Sequence, residues 1–271
     1  MVDGYSTDAT LDIVSRYPAR VVCEDKRARF PSAARDLGWR QATGDLIVYL
    51  DSDGSLEPGF FPKVYDFFRE PRVGLLGCED RTAVTNAVTR ANAQERAFLY
   101  RVQSSTSSFF RLYRWLAGVP RGLRYGGACH VVRRSCLEDI GGFPLCDCGE
   151  DLALAQRVVA FGWRNEWWSP APVVHRLPST VRGLCRQFFR HGRQRAVWEW
   201  DSSLGILRWQ NLASLGARLA SPGFGAMLAA NTRNPVLLVT YPVCRYAWLA
   251  GYVKGARVAR RRERMSLVRE Q

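Results

Sequence analysis

The run Leu46-Ile47-Val48-Tyr49-Leu50, followed at once by Asp51-Ser52-Asp53-Gly54, constrains this chain more than any other stretch. Five apolar residues bounded by Gly44 and Gly54 are too short for a helix. They read as a strand buried on both faces, the kind found in sheets covered by helices on each side. Such a strand delivers two carboxylates, one residue apart, to its C-terminal end, where open α/β sheets bind their ligands. A D-x-D pair there suits a hard divalent cation that carries phosphate oxygens, because Mg²⁺ or Mn²⁺ uses one or two carboxylates beside substrate phosphates and water. An acidic turn after a strand is the plain alternative.

Around this run the pattern alternates. Val2-Asp3 reads as the end of a strand, and Ser6 or Thr7 as the cap of a helix carrying Leu11, Val14 and Tyr17, which Pro18 closes. Arg20 to Cys23 is a second short strand. Pro31 opens a helix through Ala34, Leu37 and Gln41 that ends at Gly44. After the Asp pair come an amphipathic helix from Pro58 to Arg69 and a strand from Val73 to Cys78. Alternation of this kind predicts a mainly parallel sheet with helices on both faces. Asn92 to Leu116, polar and aromatic, reads as a long helix or a helical pair.

A second informative block runs from Tyr125 to Ala196. Gly126 to Arg134 predicts a strand with close-packed glycines, Gly141-Gly142-Phe143 a turn, and Gly149-Glu150-Asp151 the opening of a helix. Leu154, Val158 and Phe161 mark the apolar face of that helix, and Gly162 stands at its C′ position. Asp151 therefore lies in a first helical turn, where the dipole favours the ionised form. It serves there as a cap or as a general base. Cys129, His130, Cys136, Cys146 and Cys148 invite a zinc reading, but C-x-C with irregular flanks is not the usual ligand spacing. Small buried side chains are the expected role.

Taken together, Val2-Asp3-Gly4 with Ser6-Thr7-Asp8, Ala34-Arg35-Asp36-Leu37-Gly38 before Gly44-Asp45, the D-x-D, Gly141-Gly142-Phe143, Gly149-Glu150-Asp151 and Pro172-Val173-Val174-His175 resemble family 2 glycosyltransferases. The likeness covers residues 2 to about 196 and implies the GT-A fold, a single nucleotide-binding α/β domain. It implies that Asp3 contacts the base or ribose and that Arg35 lies near the nucleotide. Asp51 and Asp53 correspond to the metal-binding pair, Asp53 being the usual ligand, and His175 completes that site or faces the diphosphate. Asp151 corresponds to the base for the acceptor hydroxyl, with Glu150 beside it. Arg190 and Arg193 stand where related enzymes keep basic residues near the diphosphate and acceptor. A nucleotide diphosphate leaves readily only when its developing charge is neutralised, and the attacking hydroxyl needs a base within reach. One base opposite the leaving group gives inversion.

Beyond Ala196 the composition shifts, so the expected division is a catalytic domain at 1–196 and a helical, membrane-associated region at 197–271. Pro235 to Val253 is apolar and aromatic except for Arg245, with Pro242 inside, and is followed by Lys254, Arg257, Arg260, Arg261, Arg262 and Arg264. That order describes anchoring to an anionic membrane surface on the cytoplasmic side, peripheral or through one helix. A soluble helical subdomain is the alternative. The formal charge of +14 asks for an anionic partner. A nucleotide-diphosphate sugar and acidic lipid answer it, with a lipid-linked acceptor in keeping with the tail. Nucleic acid is not expected, because the charge is not interleaved with stacking aromatics. An inactive relative acting as a membrane-bound partner and a basic nucleic-acid-binding protein are the other two readings. The opening Met1-Val2-Asp3-Gly4 is unlike a secretory leader, so the eight cysteines are expected as reduced thiols. The family's first strand would precede Val2, so coding sequence is expected upstream of Met1.

Overall fold

The structure is a computed structural model and describes residues 1–24, 31–104, 127–145, 149–201 and 218–269, together with 107, 108, 111 and 216. In chain order the elements are β1 (Val2–Asp3), α1 (Thr10–Val14), β2 (Val22–Cys23), α2 (Pro31–Gln41), β3 (Leu46–Leu50) and β4 (Gly54–Leu56). There follow α3 (Phe60–Phe68), β5 (Val73–Thr82), α4 (Ala87–Ser104), β6 (Cys129–Arg133), α5 (Arg134–Asp139) and α6 (Glu150–Ala160). The last are β7 (Arg164–His175), α7 (Val181–Asp201), α8 (Ser221–Thr232) and α9 (Leu237–Arg269). They fall into two compact units. One holds Met1–Ser52, Leu56–Glu79 and Leu123–Pro172; the other holds Asp53–Ser55, Asp80–Gly122 and Val173–Gln271.

β1 and β2 form a parallel two-stranded sheet, and the remaining strands form one sheet in the order β3-β6-β5-β7-β4. This sheet is mixed, which corrects the mainly parallel sheet that alternation predicts. β6 runs antiparallel to β3, with Leu50 opposite Cys129, and antiparallel to β5, with Gly77 opposite His130. The pattern of apolar runs carries no strand direction. The connection from β5 to β6 returns the chain reversed, between two strands that themselves run the same way. β5 and β7 do run in parallel, with Arg164 N donating to Arg72 O and Ala83 N to His175 O.

In the first unit the core forms where these patterns meet. Ile47 and Tyr49 of β3 pack with Leu75 of β5, Val132 of β6 and Leu154, Ala155 and Val158 of α6. Burying each such aliphatic side chain stabilises by roughly 1.5–3 kcal/mol. β3 is the end strand of its sheet, so only its Ile47–Tyr49 face is fully buried, and Leu50 is 41 % exposed. The expectation of burial on both faces fails there. The N-cap position of α1 is Ala9, with no side-chain cap, which corrects the expected Ser6 or Thr7 cap; Asp8 Oδ1, one residue earlier, accepts from Thr10 N at 3.0 Å, and Ser6 N donates to Asp3. Gly162 takes φ +83° just past α6, as a C′ glycine does, although Phe161 is exposed and leaves the apolar face to Leu152, Leu154, Ala155 and Val158.

In the second unit α7 and α9 lie against each other closely enough that glycine is required. A Cβ on Gly192 would stand 2.0 Å from the Trp248 carbonyl oxygen, and one on Gly251 2.0 Å from that of Phe189. α8 and α9 bury Leu228, Leu237 and Tyr241 with Ala91 of α4. α7 runs unbroken through Ala196. Arg245, inside the apolar stretch, pairs with the buried Glu95 of α4 and lies 4.7 Å from the Tyr241 ring centroid. Among the described residues no helix is long and apolar enough to cross a membrane.

Candidate active site

α2 presents Arg35 on the face that carries Ser32 and Trp39 into the core. The guanidinium fans out to three carboxylates. Nη2 donates to Asp51 Oδ1 at 2.8 Å, just past β3, and Nη1 donates to Glu150 Oε1 at 2.7 Å. Asp151 Oδ1 lies 3.6 Å from Nη1, outside hydrogen-bond reach. The Arg35 side chain is 14 % exposed. Burial works against its charge, and the surrounding Asp151, Asp51 and Glu150 overcome this, holding it more firmly protonated than usual. The turn that borders the cluster is fixed from the same helix. Asp36 Oδ1 accepts from Phe143 N and Trp39 Nε1, and a Cβ on Gly142 would stand 2.6 Å from that oxygen. Only glycine, at φ +97°, leaves the carboxylate its place.

Glu150 and Asp151 open α6 behind Gly149, itself at φ +73°. Burial, then the charge of Glu150, then Asp51 push the Asp151 carboxyl up to about 7, against the opposing pull of Arg35. Its Oδ1 is buried and accepts no hydrogen bond. His130 Nε2 of β6 lies 3.8 Å from it. His130 entered the sequence reading only as a zinc candidate. Its place beside Asp151 follows from the antiparallel register of β6, which single-sequence patterning does not reveal. Cys129 and Cys136 are buried thiols; Cys146 and Cys148 lie outside the described residues.

One residue further along the chain from Ser52, Asp53 belongs to a different cluster. Its Oδ1 lies 3.2 Å from His175 Nε2, at the end of β7. The other ring nitrogen, Nδ1, lies 2.6 Å from Asp80 Oδ2, at the end of β5. Asp80 has no exposed side-chain surface, and its Oδ1 accepts from Arg96 and from the Tyr100 hydroxyl, both on α4. Burial opposes its charge, but the bonds from His175 and Tyr100 and the Arg96 charge hold its carboxyl well below the usual range. Burial disfavours a charged His175, and Asp80 and Asp53 outweigh that, raising it. Asp80, Arg96 and Tyr100 were not legible as site residues: Glu79-Asp80-Arg81 looks like the polar end of a strand, and β5 continues through it to Thr82.

Asp3 is buried, and both its oxygens accept from Ser6, at 3.0 Å from N and 2.6 Å from Oγ. Arg190 and Arg193 are exposed on α7, on either side of the tight contact at Gly192.

A mixed α/β sheet ending in D-x-D, with an acidic pair opening a helix, defines a class: the GT-A-like fold of nucleotide-sugar glycosyltransferases. Residues 1–141 match the profile of Glycosyl transferase family 2, more than half of the 271 residues, and the chain belongs to that family. The mannosyltransferase PcManGT from Pyrobaculum calidifontis, solved in complex with GDP-Man and Mn²⁺, matches 94 % of this chain and 76 % of its own. The TM-score is 0.57 at 21 % identity, a likeness of fold. The pre-mycofactocin glycosyltransferase of Mycobacterium tuberculosis is 26 % identical over 185 residues, 67 % of this chain and 37 % of that protein. The probable glycosyltransferase YdaM of Bacillus subtilis is 24 % identical over 204 residues, 71 % of this chain and 46 % of that protein. The chain spans less than half the length of either relative.

Proposed function

We propose that this chain moves a sugar from a nucleotide-diphosphate donor to an acceptor hydroxyl, with inversion at the anomeric carbon and with Mg²⁺ or Mn²⁺. The observation that carries this reading is Asp151. Its Oδ1 is buried without a hydrogen bond, whereas Asp51 Oδ1 and Glu150 Oε1 each accept one from Arg35, and its carboxyl is pushed up to about 7, a proton affinity matched to neutral pH. A general base works best with such a match. With Asp51 assigned to the cation and Glu150 paired with the guanidinium, Asp151 is the one base proposed for the acceptor and none is left as a nucleophile.

The donor set fits the cation. Asp51, Asp53 and His175 are its proposed ligands. Carboxylate oxygens with one imidazole suit Mn²⁺, and the separation of 3.2 Å between Asp53 Oδ1 and His175 Nε2 is close to the ~3.0 Å between neighbouring octahedral ligands at about 2.1 Å. When bound, the cation neutralises charge on the departing diphosphate. The family resemblance assigns Asp3 to the base or ribose, and Arg190 and Arg193 to the diphosphate and acceptor. We further place the chain on the cytoplasmic face of a membrane, peripherally, with an acceptor that is lipid-linked. What supports this is the exposed apolar residues and basic end of α9.

A thermal-shift panel of GDP, UDP and their sugars, with and without Mn²⁺, tests the reading. A ligand at a hundred times its Kd stabilises by about 2.7 kcal/mol. A rise in Tm with one nucleotide only when Mn²⁺ is present, absent in Asp53→Asn, is the expected result. The same rise in that variant would remove Asp53 from the cation site.

A further inference from the structure

We propose that Asp80 is a positioning residue for the cation site: through His175 Nδ1 it aims His175 Nε2 at the cation carried by Asp53. The proposal rests on the reading of Asp53 and His175 as cation ligands.

The geometry around Asp80 is selective. Arg96 and Tyr100 both occupy Oδ1, so Oδ2 is left to His175 Nδ1 at 2.6 Å. With Arg96 and the Tyr100 hydroxyl both donating to this carboxylate, the geometry makes Oδ2 an acceptor and Nδ1 its donor. Nε2 is then the nitrogen with a lone pair to offer, and it is the one that lies 3.2 Å from Asp53 Oδ1. A metal-binding histidine typically donates its other ring N–H to a carboxylate, which fixes tautomer and ring angle and raises ligand basicity. A fully buried carboxylate is costly unless it is paired and hydrogen-bonded. The fold meets that cost with an arginine and a tyrosine one helical turn apart on α4. Those two donors satisfy Oδ1 alone. A purely structural carboxylate has no need to keep the second oxygen for an imidazole whose far nitrogen faces another carboxylate.

The experiment uses Mn²⁺ alone as the probe, with free Mn²⁺ followed by electron paramagnetic resonance on the whole chain. Four proteins are compared: wild type, Asp80→Asn, His175→Ala and the double variant. Loss of such a partner typically weakens metal binding about 10–100-fold, and that is the expected effect of Asp80→Asn. On the His175→Ala background the same change should add nothing, since its effect passes through the ring. Equal weakening on both backgrounds would make Asp80 merely structural and overturn the proposal, as would unchanged affinity in Asp80→Asn. Unchanged affinity in His175→Ala would instead overturn the underlying ligand reading, a result separable from the other two. Nitrogen-15 spectra of the Mg²⁺-loaded wild type give a check that needs no variant. A proton on Nδ1 of His175 supports the proposal, and a proton on Nε2 overturns it.

Discussion

At the scale of single residues, Asp151 is pulled two ways. The first turn of α6 and Arg35 favour its charge; burial and the neighbouring Glu150 and Asp51 oppose it, and they win. Asp151→Asn should therefore lower kcat by about 10²–10⁴-fold and leave donor affinity near wild type. A parallel collapse of donor binding in a nucleotide titration would make Asp151 a ligand or a cap. The sign of the pH dependence follows. A base must be unprotonated, so kcat/KM should rise with pH, with a midpoint at or below about 7, since a bound cation can only lower it. Removing the opposing guanidinium in Arg35→Gln should move that midpoint to higher pH and lower Tm. Breaking a buried pair typically costs about 3–5 kcal/mol. An unmoved midpoint would mean that Arg35 does not act on Asp151. The shift has the opposite sign at Asp80, where it bears on stability. Its folded carboxyl is depressed, so its contribution is present above the unfolded value near 3.8 and is lost as pH falls through the folded one. The carboxylates of this site were legible because their spacing is local: Asp51 with Asp53, Glu150 with Asp151. Asp80 and His130 were not, since each meets its partners on elements distant in sequence, which only the folded sheet and its helices bring together.

At the scale of elements, what the sequence made readable was existence, and what it hid was direction and length. β3 and α6 stand where their periodicity and glycines place them, because both are decided within a dozen residues. β7 is twelve residues long, yet only its end at Pro172 to His175 stood out. Pro170 and Pro172 argue against a strand interior; at Pro172 the pairing uses its carbonyl, which accepts from Glu57 N just past β4. Gly192, Gly251 and Gly255 gave no signal in a single sequence, since isolated helical glycines look merely unfavourable. Their reason is the backbone contact of α7 with α9. Gly251→Ala should destabilise the chain by about 1–3 kcal/mol, because its methyl group would meet the Phe189 carbonyl at 2.0 Å and the helices must part. Gly223→Ala on α8 is the control. Nothing lies within 4 Å of a Cβ there, and helix propensity predicts a gain of up to about 1 kcal/mol. Denaturant melts of both decide it: equal losses would show that the contact is not what holds the helices.

At the scale of the molecule, the excess of 39 basic over 25 acidic residues is the main fact that the proposed active site does not absorb. Composition alone showed that a basic, apolar tail follows the catalytic motifs, but not which of its residues face outward. α9 answers in part. Leu238, Val239, Val243, Tyr246 and Val253 are exposed, and Val239, Val243, Tyr246 and Val253 recur at helical spacing on one face. Lys254, Arg257 and Arg260 are exposed immediately after them. An apolar stripe with a cationic end is suited to lying in the headgroup region of an anionic bilayer, where each basic residue near the surface contributes about 1 kcal/mol. The whole chain should therefore sediment with vesicles containing phosphatidylserine and not with neutral ones, and binding should weaken as salt rises. Arg257→Glu with Arg260→Glu should release it at salt concentrations that the wild type withstands, while Val243→Asp should weaken binding even at low salt. The two changes separate the two contributions: charge reversal removes the attraction, and the buried aspartate removes the insertion. If neutral vesicles bind the wild type equally well, the arginines are not what holds it. If no vesicle binds it at low salt, the outward face of α9 serves something other than lipid.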